Sequence, residues 1–213
     1  MGEKEKNMNK KYVAYTFDDG PSNITERVLD ILDEKGIKGT FFLVGENITG
    51  EKAHILNRQI EEGHELANHS KTHPDMTNLS VEEIKDEIEY TTKRIEEVAG
   101  VTPKFFRPPY IAVSQEMYDN IDFPFICGQG NEDWDENSTV EHRVQVILET
   151  ITPGTIILNH DGENNFANLE AIPQIIDGLL AQGYEFVTLS KLFELYDVNP
   201  NQKNMLWTRV LEE

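Results

Sequence analysis

A chain of 213 residues, 38% hydrophobic and 27% charged, has the length and composition to bury one sizeable core as a single globular domain. Acidic residues outnumber basic ones 39 to 19, a formal charge of -20, which argues against nucleic acid and anionic membrane surfaces as partners and otherwise reads as a solvated surface. The single cysteine, Cys127, leaves nothing to pair with, no apolar run approaches the roughly 18 residues that insert in a bilayer, and the charged start over residues 1–7 has no signal-peptide core.

In chain order, a β-prone run over residues 10–14 leads into Tyr15, Thr16, Phe17, Asp18, Asp19, Gly20 and Pro21, so two adjacent carboxylates fall where a strand stops. Residues 22–35 carry apolar positions at helical spacing behind Ser22 as a cap, and Gly36 ends them. Thr40 to Val44 is a continuous apolar run, the pattern of a strand buried on both faces. Residues 51–62 predict a helix, and residues 80–99 predict the longest one, with Ser80 and Glu83 as a capping box. Strands are expected over 104–107, 123–127, 155–158 and 184–188, and helices over 139–150, 169–180 and 189–196. Short strands alternating with longer helices indicate an α/β fold of parallel βαβ units, as a closed barrel or an open sheet. Residues 198–213 are polar around an isolated Trp207 and predict a docked or loose tail.

Asp18, Asp19, His69, His73, Arg107, Asp133 and His160 all follow predicted strands, the side on which α/β proteins build sites. Like charges at Asp18 and Asp19 would raise one pKa unless a cation separates them, although an Asp-Asp-Gly turn is also ordinary loop chemistry. His69 and His73 stand four apart, as on one helical turn, and with Asp19 they make a two-imidazole, one-carboxylate set of the zinc type. Arg107, its backbone held by Pro108 and Pro109, could reach Asp18 or remain a surface arginine. Trp134 is a core or pocket-wall residue. His160 is a structural histidine or the one remaining acid titrating near neutrality. His54, His64 and His142 have no partner spacing and are expected to be solvated.

Taken in order, Thr16 to Pro21, His69-Ser70 with His73, Arg107-Pro108-Pro109-Tyr110, Asp133-Trp134 and Leu158 with His160 resemble the five motifs of the polysaccharide deacetylases with NodB homology, carbohydrate esterase family 4. The resemblance implies a distorted (β/α) barrel of seven or eight strands over residues 11–197, between tails at 1–10 and 198–213. It implies a divalent metal, usually Zn2+ with Co2+ or Ni2+ as substitutes, on Asp19, His69 and His73. Asp18 would be the general base, oriented by Arg107; the Tyr110 backbone N–H would help hold the oxyanion; His160, tuned by Asp133, would be the general acid; Trp134 and Leu158 would enclose the acetyl methyl. The implied substrate is an acetylated polysaccharide or oligosaccharide outside the membrane, in the extracellular space or cell envelope, acted on by a monomer. N-acetylglucosamine units of peptidoglycan or chitin-like glycans come first in that expectation, and O-acetylated xylan second. Ile111 stands where the third motif commonly has Gly, and Gly130 where the fourth commonly has an acid. The stretches around 128–137 and 155–161 are similar to members acting on O-acetylated xylan. A catalytically silent sugar-binding module and an amidohydrolase of small cyclic amides are the competing readings.

Overall fold

The computed structural model describes residues 10–211. Seven strands are found among them: β1 (Lys11–Gly20), β2 (Thr40–Leu43), β3 (Glu65–Asn68), β4 (Phe125–Ile126), β5 (Ile156–His160), β6 (Tyr184–Val187) and β7 (Leu206–Trp207). Between them run α1 (Thr25–Lys35), α2 (Ala53–Glu61), α3 (Val81–Ala99), α4 (Gln115–Asn120), α5 (Val140–Thr150), α6 (Phe166–Ala181) and α7 (Leu189–Tyr196). β1 is the centre of the ladder because Tyr12 to Phe17 are all buried and can be covered on both faces. It pairs in parallel with β2 and β5, while its opening residues pair with β6, and β2 pairs with β3. Single-residue parallel bridges, Asn68 to Phe106, Phe106 to Phe125 and Gln129 to Ile157, carry the ladder from β3 back to β5, and β7 pairs with β4. The result is a distorted parallel α/β barrel of the kind expected from the motifs, its ladder carried round by single-residue bridges.

Alternation along β1 sorts the core into two parts. Val13, Tyr15 and Phe17 pack against apolar residues of α1, α2 and α6. Tyr12 and Ala14 face the barrel interior with Phe42, Ala67 and Ile156, and α7 closes that interior with Leu189, Leu192 and Phe193. Asp18 continues the inner phase. With one end of the barrel stoppered by α7, the strand C-termini form the open end.

Helix boundaries depart from expectation where a cap is used elsewhere. The capping box at Ser80 and Glu83 is present. Ser22, however, does not cap α1: its hydroxyl donates to the Asp161 carbonyl at 2.5 Å, and the helix begins at Thr25. The strand expected over 104–107 reduces to the bridge at Phe106, because Pro108 and Pro109 have no N–H to extend a ladder. The expected tail after Tyr196 is docked over its described residues, with Trp207 buried against Phe193 at 5.1 Å between ring centroids. Of the expected tail at 1–10, only Lys10 lies within the described residues.

His64 is not solvated, as its lack of partner spacing suggested. Its side chain is fully buried and its Nδ1 accepts the Gly39 N–H at 3.0 Å. Burial, with Lys38 nearby, pushes its pKa down to about 4. The unfolded chain therefore takes up this proton first as pH falls, so the contribution is intact above about 6.5 and is lost between about 6.5 and about 4. The urea midpoint should fall across that window, and His64→Gln, which retains an acceptor for Gly39, should flatten the fall; equal slopes in the two proteins would show that another group governs acid sensitivity.

Candidate functional site

Two neighbours on a strand point to opposite faces, so Asp18 and Asp19 can share a cavity only if the strand breaks its alternation. It does so at that point. Asp19 takes a left-handed φ of 74°, and the register against β2 shifts between Asp18 and Gly20. Asp18 is buried at the inner face, paired in register with His160 of β5, and Arg107 Nη1 donates to its Oδ1 at 2.5 Å. Burial raises the Asp18 pKa, and the Arg107 and His160 charges work against that rise. Arg107 itself is fully buried, its guanidinium 4.1 Å from the centroid of Phe42. The close approach of Gly128 makes room for it: at φ 102° a side chain there would be strained, and its Cβ would meet Arg107 Nη2 at 3.1 Å.

His69 and His73 do converge, but not on a helical turn. The chain after β3 bends, with Ser70 and His73 at left-handed φ of 68° and 58°. Glu87 of α3 holds the bend: its carboxylate accepts the Lys71 N–H at 2.7 Å, the Thr72 N–H at 2.8 Å and the Thr72 hydroxyl at 2.8 Å. The His69 ring donates from Nδ1 to the Arg107 carbonyl at 2.7 Å, which leaves Nε2 with its lone pair. Burial holds the His69 pKa down at about 3, so the ring is neutral at pH 7.

Nε2 of His69 and Nε2 of His73 each lie 3.5 Å from Asp19 Oδ1. That is too long for hydrogen bonds, and Asp19 Oδ1 is buried with no hydrogen-bond partner. The candidate ligand atoms of the three residues all lie within 4.8 Å of one another. Tetrahedral ligands at about 2.1 Å from an ion stand about 3.4 Å apart, so the spacing and the orphaned oxygen both fit a bound dication.

On the other side of Asp18, His160 Nδ1 meets Asp133 Oδ1 at 2.8 Å and its backbone N–H donates to Asp133 Oδ2 at 2.7 Å. Burial opposes a charge on His160, but the carboxylates of Asp133, Asp18 and Asp19 outweigh it and raise the pKa to about 9. Burial likewise pushes Asp133 up, and its bonds with His160 and Asn168 bring it below the usual carboxylate range. Tyr110, at a left-handed φ of 58°, and Trp134 are 70% and 72% exposed, while Leu158 is buried; all three line one cavity of about 1240 Å3 with Asp18, Asp19 and His160. Asp18, Asp19, His69, His73, Tyr110, Asp133, Trp134, Leu158 and His160 thus line one cavity, and Arg107 supports it through Asp18.

Several supports were not legible. Glu87 carried no signal beyond helix patterning. Asn168, whose amide donates to Asp133 Oδ2 at 2.5 Å and to the His160 carbonyl at 2.7 Å, sits on an expected helix margin. Asp161 directly follows His160 and carries no motif signal of its own. It is buried beneath the Asp18 turn, accepts the Thr25 hydroxyl at 2.5 Å, and is pushed by burial up to about 7.

A parallel barrel with two imidazoles and one carboxylate at the C-terminal ends of its strands defines a class of α/β protein suited to hold a dication there. The polysaccharide deacetylase family model matches residues 5–122, more than half of the chain. The chain is 48% identical over 202 residues to a bifunctional xylanase/deacetylase of Pseudobutyrivibrio xylanivorans, covering 95% of this chain and 34% of that one. It is 36% identical over 186 residues to a peptidoglycan-N-acetylglucosamine deacetylase of Listeria monocytogenes, covering 86% of this chain and 39% of that one. Among solved structures, the Xyl-CE4 domain of a multidomain xylanase from the hindgut metagenome of Trinervitermes trinervoides superposes with a TM-score of 0.93 at 50% identity, covering 95% of this chain and 98% of that one. A family 4 acetyl xylan esterase from Clostridium thermocellum, in complex with a cobalt ion, superposes at 0.90 with 41% identity, covering 94% and 99%. The chain belongs to the polysaccharide deacetylase family. It spans little more than a third of the two curated relatives it matches here.

The raised pKa of His160 is a stability contribution present in full below about 6.5 and lost as pH rises through about 9. In the metal-free protein the His160 ring should titrate near 9 by NMR, and Asp133→Asn should bring it down towards the ordinary histidine value. An unmoved titration in Asp133→Asn would place the cause elsewhere.

Proposed function

We propose that the chain is a metal-dependent hydrolase that removes acetyl groups from a carbohydrate polymer, with residues 11–197 as the catalytic domain. The observation that carries this is the β1–β5 register, which sets Asp18 beside His160 next to the Asp19, His69 and His73 set. Asp19, His69 and His73 would hold the ion, which we take to be Zn2+ with Co2+ or Ni2+ as substitutes; a cobalt ion in one relative's structure supports that class of metal. When bound, such an ion polarises the acyl oxygen and makes water a better nucleophile near neutral pH.

The chain's own residues supply the rest. Asp18 takes a proton from the attacking water as oxygen bonds to the acyl carbon, and the Arg107 charge works against the rise that burial imposes on the Asp18 pKa. The Tyr110 backbone N–H donates to the oxygen that gains charge. His160, protonated through Asp133, gives its proton to the sugar oxygen or nitrogen as the bond to the acyl carbon breaks, and acetate leaves. Trp134 and Leu158 flank the acetyl methyl and exclude water from it.

Acetylated xylan is the polymer we favour, on the xylan-associated names of the relatives with 41% to 50% identity. Amide cleavage on N-acetylglucosamine units is the second reading, supported by the peptidoglycan deacetylase at 36%. Either polymer lies outside the cell membrane, which supports action in the extracellular space or envelope, and the site is built from one chain, which supports a monomer.

Acetate release from acetylated xylan should exceed that from chitin oligomers and peptidoglycan fragments, and absence of release from all three with zinc loaded would remove the proposal, leaving the silent sugar-binding reading. Asp18→Asn should lower kcat about 10³-fold with little change in KM, the usual weight of a proton-transfer group. His69→Ala should lose the ion by metal analysis, and chelation of the wild type should abolish turnover that zinc restores.

A further inference from the structure

Among the described residues four large apolar side chains are exposed: Tyr110, Trp134, Phe166 at 52% and Leu180 at 42%. The first three line the same cavity, and Phe166 belongs to none of the motifs. Isolated exposed apolar residues need no explanation, but three gathered on one cavity do.

Trp134 comes from a loop and Phe166 from the first position of α6, and the polar groups between them are fastened together. The Asn165 amide donates to the Asp133 carbonyl at 3.1 Å, so the two aromatic residues each stand one position beyond a hydrogen-bonded junction. Arg143 locks that junction from beneath. It is buried, and its guanidinium donates to the Asp135 carbonyl at 3.1 Å and the Ser138 carbonyl at 3.1 Å on the Trp134 loop, and to Asn165 Oδ1 at 2.9 Å just before Phe166. The loop before Phe166 is tied again by a reciprocal pair, in which the Asn23 amide donates to Asn164 Oδ1 at 2.9 Å and the Asn164 N–H donates to Asn23 Oδ1 at 3.0 Å. Exposed rings held this way lose little freedom when something settles on them.

The cavity, at about 1240 Å3, exceeds the roughly 300 to 1,000 Å3 of sites for drug-sized ligands, so one acetylated sugar does not fill it. A pyranose offers an aromatic face its C–H groups and keeps its hydroxyls in water. Glu46, Glu136 and Glu163 also line the cavity, which disfavours an anionic ring.

We propose that Phe166, on the same cavity as Trp134, is a stacking platform for a neutral pyranose ring adjoining the acetylated one, with Arg143 as the positioning residue that ties the Trp134 loop to the segment before Phe166. This rests on the deacetylase reading for its substrate class and tells apart two glycan lengths that the reactive centre alone does not. The test is calorimetric titration of zinc-loaded protein with a non-acetylated xylo-oligosaccharide, alongside tryptophan emission. Trp207 is buried, so a saturable change in emission reports Trp134, and Trp134→Phe should remove it. Phe166→Ala should raise Kd about tenfold, the size of one well-packed aromatic contact, with Phe166→Trp restoring it and Leu180→Ala leaving it alone. On acetylated oligosaccharides Phe166→Ala should raise KM by the same factor at similar kcat. An unchanged Kd in Phe166→Ala, or no saturable emission change in the wild type, overturns the platform even where acetate release is intact. Saturable, Phe166-dependent binding with no acetate release sinks the catalytic reading and leaves the platform standing.

Discussion

The left-handed turn at Asp19 is the constraint on which the rest of the site depends. A regular strand would point Asp18 and Asp19 to opposite faces, one into the barrel and one towards the helices. The register shift at the end of β1 lets both reach the open rim, where Asp19 meets the two imidazoles and Asp18 stays beside β5. A non-glycine residue at φ 74° is held there at some cost in strain. Here Gly162 leaves the space: its own Cβ would sit 3.2 Å from that of Asp19.

Packing this many carboxylates under low exposure requires matching positive charge. Asp18 and Asp133 are both nearly inaccessible, and each has one cationic partner: Arg107 for the first and His160 for the second. Breaking one member of a buried pair typically costs about 3 to 5 kcal/mol, because the survivor is left charged and dry. The two pairs touch through Asp18 and His160, neighbours in the β1–β5 ladder, so a proton moved on one is felt by the other. That coupling suits a base and an acid acting on opposite sides of one bond.

The rim is shaped by polar groups that fasten its loops. Glu87 folds the histidine loop by accepting three donors, Asn168 aligns Asp133 with the His160 carbonyl, and Arg143 joins the Trp134 loop to the segment before Phe166. Each is polar and largely buried and satisfies backbone groups that a loop would otherwise leave unpaired.

How much of this was readable follows from how local each signal is. The strand at β1, the capping box at Ser80 and the spacing of the motif residues are written in consecutive residues, because alternation, capping and turn chemistry act over a few positions. The barrel came from the order of five motifs and not from periodicity, which left barrel and open sheet equally admissible. The helical turn expected between His69 and His73 failed because Glu87, fourteen residues further along, rewards the bend more than a helix could. His64 failed for the same kind of reason: its partner, Gly39, lies on the neighbouring side of β2. Consecutive residues decide which side chains are available and on which phase of which strand they stand; the fold of the histidine loop on Glu87 and the tying of the Trp134 loop to the start of α6 through Arg143 are settled only in three dimensions, since each joins groups far apart in the chain.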